Sequence, residues 1–263
     1  MKQPKSNMRK IKISDADFWF IDDEKYNKFY RKLAAGTWEP ETFAFLNEFL
    51  DKKTYYFDVG SWIGVTPAYA AKRAKHVVSV EPEPFCISAI ERTIAANELG
   101  NVTLLAGALS AEKSAELFMV GGGGSSVTSL VPAKGVSAVN VKGVQPEQLI
   151  QFSGNHDFVL KVDIEGFEYL SGPLIQEFKS DKLRAVQLAL HPVVVAQKIF
   201  WPFGRFKAAF ATRKLVLSLS ESFGSFKMRN YNSLTQYLIL GIILSRKCCG
   251  TEVIFSKAEA GTL

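Results

Sequence analysis

The sequence predicts a three-layer α/β sandwich, in which helices cover both faces of a mostly parallel sheet. From Tyr55 onward, short apolar runs alternate with longer amphipathic segments, as they do in β-α-β units. Two further apolar runs, 214–220 and 251–257, suit an antiparallel pair at one edge of that sheet. The parallel strands are predicted at 55–59, 76–81, 101–107, 157–163 and 183–190.

A different pattern precedes this alternation. Residues 24–36 are amphipathic at helical spacing and end at Gly36, a typical helix stop. Pro40 stands where the first turn of a second helix would begin. We therefore expect residues 1–50 to form an N-terminal helical cap and residues 51–263 to form the α/β domain.

The composition fits a globular protein in a reducing compartment. Of the 263 residues, 47% are hydrophobic and 22% are charged, which is enough apolar material for a sizeable core. The net charge of +6 suits an anionic partner without demanding one. The three cysteines (86, 248 and 249) form no C-x-x-C pair, so neither zinc nor a disulfide framework is predicted.

The sequence also favours a cytoplasmic location. The N-terminal segment is basic but has no apolar stretch of the kind found in secretory signals. The longest apolar run, 237–244, is much shorter than the ~20 residues that cross a bilayer.

A glycine turn follows the first parallel strand. Asp58, Gly60 and Gly64 form a D-x-G-x-x-x-G pattern, in which Ser61 and Trp62 replace the glycine that lets a backbone approach a pyrophosphate. The turn is not a P-loop either, and a nicotinamide oxidoreductase is disfavoured. An acid in front of a tight strand-to-helix turn suits a cationic ligand with a carboxylate, such as S-adenosylmethionine.

Glu81 ends the second parallel strand. An acid at this place accepts hydrogen bonds from ribose hydroxyls, both in NAD-binding and in S-adenosylmethionine-binding folds. The alternative is that Glu81 is a solvated strand end, and that Gly60 and Gly64 form a tight turn without a ligand.

Four blocks of residues follow one another in a fixed order, with a glycine- and serine-rich loop, 121–130, before the last. They are Asp58-Val59-Gly60 with Gly64, Glu81-Pro82-Glu83-Pro84, Asn101 to Leu104 with Gly107-Ala108, and Lys161, Asp163, Glu165, Gly166 and Glu168. Together, over about residues 38–192, they resemble the FkbM family of S-adenosylmethionine-dependent methyltransferases, which have a class I Rossmann-like fold.

This resemblance implies a cofactor site and a reaction. The cofactor-binding residues would be Asp58, Gly60, Ser61, Gly64, Glu81, Pro82, Gly107 and Ala108. The reaction would be O-methylation of a sugar, a glycolipid or a secondary metabolite. The chain departs from the family pattern at Trp62, where an asparagine is usual, at Val144-Gln145, and at Ala189, where a glutamate is usual.

Asp163, Glu165 and His191 are the candidate catalytic residues. They follow predicted strands, whose carboxyl ends meet at one crevice. We expect Asp163 to face the transferred methyl group and Lys161 to pair with a buried acid. Glu165 either orients the acceptor or caps the next helix, and His191 is either the general base or a structural residue before a proline. These three could hold a divalent cation, but Ala189 offers no ligand atom and no metal is assigned.

Several partner questions stay open at the level of sequence. RNA is a second acceptor class, disfavoured because no D/N-P-P-Y motif follows the fourth strand; a catalytically degenerate binding module is a third possibility. Residues 198–214 mix aromatic and basic side chains, which suits either peripheral membrane contact or a helix with its aromatic side in the core. The 121–130 loop is either a lid over the acceptor or a plain surface loop, and homo-oligomerisation is open.

Overall fold

The computed structural model of the protein describes residues 7–118, 124, 138–196, 203–223, 226–228 and 251–257. The strands are β1 (Met8–Ile13), β2 (Ala16–Ile21), β3 (Tyr55–Val59), β4 (His76–Glu81), β5 (Val102–Ala106), β6 (Ala108–Leu109), β7 (Ser114–Phe118), β8 (Ala138–Val144), β9 (Phe158–Val162), β10 (Leu183–Leu190), β11 (Phe226–Met228) and β12 (Thr251–Lys257). The α-helices are α1 (Asn27–Ala34), α2 (Pro40–Phe49), α3 (Val65–Ala71), α4 (Pro84–Ala96), α5 (Pro146–Ser153), α6 (Gly172–Gln176), α7 (Pro192–Ala196) and α8 (Phe203–Phe223).

The central sheet has seven strands in the order β11-β12-β10-β9-β3-β4-β5. Strands β5, β4, β3, β9 and β10 are parallel, while β12 is antiparallel to both β10 and β11. After β3 the chain adds β4 and β5 on one side, then crosses to β9 and β10 on the other. The strand order therefore reverses between β3 and β9, where open α/β sheets bind their ligands.

Two apolar cores lie on opposite faces of this sheet. In β3, Tyr56 packs into a core shared with α2, α3 and the N-terminal segment, whereas Phe57 packs into a core shared with α5, α6 and α8. Because neighbouring strand residues point to opposite faces, a strand buried on both sides must be apolar throughout its length. The fold is a Rossmann-like, mostly parallel three-layer sandwich with an antiparallel edge, as the sequence predicts.

The N-terminal segment requires a correction. Residues 27–34 and 40–49 are helical as expected, but residues 8–13 and 16–21 form an antiparallel hairpin instead of part of a helical cap. The residues that face the core alternate along both strands, and Phe18 and Phe20 are fully buried. That spacing is the period of a strand, and the prediction of a helical cap did not take it into account.

Residues 214–220 also differ from expectation, because they belong to α8 and form no edge strand. The buried side chains of this part of α8, Thr212, Leu215, Val216, Leu219 and Phe223, recur at helical spacing. The antiparallel edge is made instead by β11 and β12. The run Lys-Leu-Val-Leu-Ser-Leu-Ser fits both periods, so local pattern alone did not separate them.

The aromatic side chains in the first half of α8 point away from the core. Phe203, Phe206 and Phe210 are exposed, whereas Ala208 and Ala209 are buried. The interpretation of this helix as one with an aromatic core face is therefore wrong for the described part, 203–214. Further along the helix, α8 packs on α6, where the side chain of Leu215 lies against Gly172. No helix in the described ranges is both long and apolar enough to cross a membrane.

A smaller sheet lies beside the main one. Its strands are ordered β6-β8-β7, with β6 parallel and β7 antiparallel to β8. The 121–130 loop predicted as a lid connects β7 to β8 and lies outside the described residues, except for Gly124.

Candidate functional site

A cavity of about 220 Å³ opens at the carboxyl ends of β3, β4, β5 and β9. Nine residues named from sequence line it: Gly60, Ser61, Glu81, Pro82, Gly107, Ala108, Asp163, Glu165 and His191. Other lining residues are Trp38, Glu39, Trp62, Thr66, Leu109 and Lys161. The predicted cofactor and catalytic residues thus share one space, with Asp58 and Gly64 as exceptions.

Gly60 holds the glycine turn after β3 against the end of β9. The N–H of Asp163 donates to the carbonyl of Val59 at 2.9 Å, so β3 and β9 stay paired to their ends. Gly60 has a φ of +87°, and a Cβ added here would overlap the carbonyl oxygen of Asp163. Only glycine combines that backbone angle with so close an approach.

Asp58 lies behind the cavity and does not line it. Its carboxylate is fully buried and accepts hydrogen bonds from the hydroxyls of Tyr56, at 3.1 Å, and Thr66, at 2.5 Å. Burial raises its pKa, and the ammonium of Lys161 opposes that rise. Gly64, with a φ of +85°, is the N-cap of α3 and packs against Ile90. Both residues shape the turn from outside the cavity.

Trp62 occupies a left-handed backbone position, with a φ of +47°. Asparagine adopts this conformation far more easily than bulky residues do, which explains why an asparagine is usual at this point of the turn. The Trp62 N–H donates to Glu81 at 2.8 Å, and its indole N–H donates to the carbonyl of Gly124 at 3.1 Å. Its ring contacts Tyr26 and Phe29 edge to face, at 5.4 and 4.8 Å between centroids.

Glu81 points its carboxylate into the turn. Its two oxygens accept the N–H groups of Trp62 and Glu83, at 2.8 and 3.0 Å. Burial raises the pKa of Glu81 to about 8, although these two N–H donors act in the opposite direction. Each oxygen keeps a second lone pair for a ligand hydroxyl.

Lys161 supplies the positive charge at the centre of the site. Its ammonium lies 2.8 Å from Oδ2 of Asp163 and is almost fully buried. Burial alone would lower its pKa, but the carboxylates of Asp163, Asp58 and Glu39 hold that pKa above the usual value. Lys161 pairs with an acid as expected, but that acid, Asp163, is 19% exposed and not fully buried.

Asp163, Glu165 and His191 come together on the far wall of the cavity. Nε2 of His191 lies 3.7 Å from Oδ1 of Asp163 and 3.6 Å from Oε2 of Glu165. Nδ1 of the same ring lies 3.2 Å from Oε1 of Glu168, which is fully buried. Glu168 also accepts the N–H groups of Ile164, at 2.7 Å, and Gly166, at 2.8 Å. One carboxylate therefore fixes both the turn after β9 and the orientation of His191.

Burial and the charges of this cluster shift the pKa values of His191 and Glu165. Burial would lower the pKa of His191, but Glu168, Asp163 and Glu165 outweigh it and raise that pKa to about 9. Burial raises the pKa of Glu165 to about 7, although the nearby imidazole opposes the change. At neutral pH the imidazole is thus mainly protonated, and Glu165 is about half ionised.

Three side chains that line the cavity are held at strained backbone angles. Of six non-glycine residues with positive φ in the described ranges, Glu39, Trp62 and Glu165 all line this space. Such angles cost about 1–3 kcal/mol each and persist where the surrounding structure enforces them, often at functional sites. This clustering supports the cavity as the functional centre.

Two of the departures from the family pattern have structural counterparts. Ala189 pairs across the sheet with Glu252 of β12, whose carboxylate binds Gln187 at 2.6 Å and the hydroxyl of Thr42 at 3.2 Å. An acid is therefore present beside this strand end, on the neighbouring strand. At the other departure, the Gln148 side chain accepts the N–H of Gln145 at 3.1 Å and closes the start of α5.

Sequence reasoning missed three contributors to the site. Trp38 and Glu39 lie in the N-terminal segment, where no motif marked them. Glu168 was part of a matched block but had no assigned role. A buried acid two residues after a glycine turn would have suggested one, because such an acid can accept the N–H groups of the turn.

No family model matches this chain. Among solved structures it is similar to an rRNA methylase from Streptococcus thermophilus, with 12% identity over 83% of this chain and 95% of that one, at a TM-score of 0.48. A Methanococcus jannaschii fibrillarin pre-rRNA processing protein has 12% identity over 97% and 84%, at a TM-score of 0.45. A ribosomal protein L11 methylase from Lactobacillus delbrueckii has 14% identity over 83% and 77%, at 0.44. Likenesses as distant as these carry no argument about ligand or substrate.

Proposed function

We propose that the protein is an S-adenosylmethionine-dependent methyltransferase that O-methylates a hydroxyl of a sugar, a glycolipid or a secondary metabolite. One observation carries this proposal. A single cavity at the strand switch point has a buried acid and a glycine turn on one wall, and a cluster of two carboxylates and an imidazole on the other.

The first wall suits an adenosyl ligand. Glu81 would accept the ribose hydroxyls through its remaining lone pairs. Pro82, Ala108 and Leu109 line the cavity nearby and offer an apolar surface for a flat base. Gly60 and Ser61 would lie along the methionine part, and no extended glycine loop is present there to surround a pyrophosphate. The order of the blocks that resemble the FkbM family supports the same assignment.

The second wall suits a hydroxyl acceptor. The hydroxyl oxygen would attack the methyl carbon in line with the C–S bond, which breaks and leaves both electrons on a neutral thioether sulfur. The hydroxyl proton would pass to a carboxylate. Glu165, with a pKa of about 7, is better suited to accept it than His191, which is mainly protonated at neutral pH. His191 would then stabilise the charge of the cluster.

Calorimetry with S-adenosylhomocysteine and with NAD tests the cofactor. We expect saturable binding of S-adenosylhomocysteine, loss of that binding in Glu81→Ala, and no binding of NAD. Binding of NAD but not of S-adenosylhomocysteine would exclude the methyltransferase proposal. Tight binding of the cofactor with no methyl transfer to any acceptor would favour a catalytically degenerate binding module.

RNA is a second candidate acceptor, and α8 is the observation that favours it. This helix exposes Phe206 and Phe210 beside Lys207 and Lys214, and aromatic rings interleaved with cations bind single-stranded nucleic acid. Transfer of a radiolabelled methyl group to RNA, compared with transfer to hydroxylated glycosides, separates the two acceptor classes. We expect the label in the glycosides.

A further inference from the structure

We propose that Asp163, Glu165 and His191 form a binding site for one divalent cation. The assignment of these residues as ligands stands on their geometry alone. The use of that cation to hold the acceptor oxygen rests on the proposed methyltransferase function. Although the sequence assigned no metal, the fold brings three ligand groups from two separate strand ends to one point.

The three side chains present their ligand atoms to a common space. One atom from each lies within 4.8 Å of the other two, and His191 Nε2 is 3.6–3.7 Å from the nearest carboxylate oxygens. A cation ~2.1 Å from each ligand would separate neighbouring ligand atoms by ~3.0 Å and opposite ones by ~4.2 Å. The two distances to His191 lie between these values, and the two carboxylate oxygens lie within 4.8 Å of each other, so small side-chain rotations would close the site.

The imidazole is oriented as a metal ligand usually is. Its Nδ1 is directed at the buried carboxylate of Glu168, which leaves Nε2 for the cavity. A carboxylate behind a histidine fixes the tautomer and the ring orientation, and this arrangement accompanies most histidine ligands. Glu168 is itself immobilised by two backbone N–H groups, from Ile164 and Gly166.

The two carboxylates have oxygens free for a cation. Lys161 binds Oδ2 of Asp163 and leaves Oδ1 facing His191. No hydrogen bond from another described residue reaches the carboxylate of Glu165. Its strained φ of +52° aims this side chain at the imidazole, and Gly166, with a φ of +96°, completes the turn.

Two carboxylates and one imidazole suit a cation such as Mn²⁺, since Mg²⁺ has less preference for nitrogen. Three protein ligands leave open positions on a six-coordinate ion. Because the site lines the cavity, these positions face the space assigned to the acceptor. An acceptor with two adjacent oxygens, such as a vicinal diol, would fill two of them. The Glu165 carboxylate keeps one oxygen that could still accept the hydroxyl proton.

The competing interpretation is an imidazolium ion that pairs with the acids and excludes any metal. Titration of Mn²⁺ into chelator-treated protein, followed by the paramagnetic resonance signal of the free ion, distinguishes the two. We expect saturable binding by the wild type and at least about tenfold weaker binding by Asp163→Asn and Glu165→Gln. Glu168→Gln should also weaken Mn²⁺ binding by about tenfold, because it releases the ring of His191.

Glu91→Gln is the control, because it removes one carboxylate from an exposed position of α4, outside the cavity. It should bind Mn²⁺ as the wild type does. Circular dichroism and S-adenosylhomocysteine affinity show whether each variant is folded. Wild-type protein that binds S-adenosylhomocysteine but leaves Mn²⁺ free overturns the cation site and leaves the proposed function intact. Mn²⁺ binding without S-adenosylhomocysteine binding supports the cation site and overturns the proposed function. Mn²⁺ binding that is unchanged in Asp163→Asn and Glu165→Gln places the ion elsewhere and overturns this site.

Discussion

At the scale of single residues, Gly60 joins the two walls of the cavity. It belongs to the glycine turn after β3, yet the atom nearest to its missing side chain is the carbonyl oxygen of Asp163. A change here acts on both walls through one backbone contact. The residue is therefore constrained by packing as well as by its positive φ.

We expect Gly60→Ala to lower the free energy of unfolding by about 2–5 kcal/mol, because a left-handed φ and a backbone overlap both oppose the methyl group. Gly36→Ala is the control, since Gly36 also has a positive φ of +66° but no atom within 4 Å of its added Cβ. That variant should lower the free energy of unfolding by about 1–2 kcal/mol. Chemical denaturation measures both, and equal costs would show that the contact with Asp163 is unimportant.

If Glu81 accepts the ribose hydroxyls as proposed, cofactor binding depends on pH. Its pKa of about 8 means that a proton must leave before the carboxylate accepts both ribose hydroxyls. Affinity for S-adenosylhomocysteine should therefore rise from about pH 7 through pH 8 and level off above about pH 9. Calorimetry across this range measures the effect. In Glu81→Gln the affinity should be lower and should no longer rise with pH. If the affinity of this variant rose with pH as much as that of the wild type, another group would be responsible for the pH dependence.

At the scale of elements, α1 and the residue before it support the glycine turn at Trp62. Tyr26, just before α1, donates its hydroxyl to the carbonyl of Gly124 at 2.8 Å, and the indole of Trp62 donates to the same oxygen. Phe29, from α1, packs against the Trp62 ring. The N-terminal segment therefore shares a core with the α/β domain and helps to place a residue that lines the cavity.

Tyr26→Phe should weaken S-adenosylhomocysteine binding by about fivefold, since losing one hydrogen bond costs about 1 kcal/mol. Tyr30→Phe removes a similar bond, to the carbonyl of Ile21 at 2.7 Å, outside the lining of the cavity. We expect both variants to lose about 1 kcal/mol of stability and only Tyr26→Phe to lose affinity. Equal affinities would separate the N-terminal segment from cofactor binding.

The sequence pattern predicted those elements that depend only on neighbouring residues. The five parallel strands and the convergence of Asp163, Glu165 and His191 follow from alternation and from strand polarity. The contribution of Glu39 depends on a contact between the start of α2 and the sheet, which no local period encodes. The C-terminal part of α8 was misassigned because its short apolar run is compatible with two periods.

At the scale of the whole molecule, α8 presents an exposed aromatic and basic surface. Phe203 and Phe210 are 68% and 66% exposed, and Phe206 lies on the same side of the helix. Lys207 and Lys214 flank these rings. A surface of this composition suits the interface of an anionic membrane, which would give access to a lipid-linked acceptor.

We expect the protein to co-sediment with vesicles that contain phosphatidylglycerol at low salt, and less so at high salt, which screens the lysines. The double variant Phe206→Ser/Phe210→Ser should reduce retention. Phe152→Ser is the control, because Phe152 is 40% exposed on a different helix, α5. Equal retention of wild type and double variant would remove α8 as the membrane surface, and retention on RNA instead would favour the RNA acceptor.

The position of Trp62 has a practical consequence. The chain has four tryptophans, and two of them, Trp38 and Trp62, line the cavity with their ring centroids 6.5 Å apart. An occupant beside these rings would change the polarity around them and quench or shift their fluorescence. Tryptophan fluorescence would therefore report occupancy of the cavity without a label, even when the acceptor is unidentified.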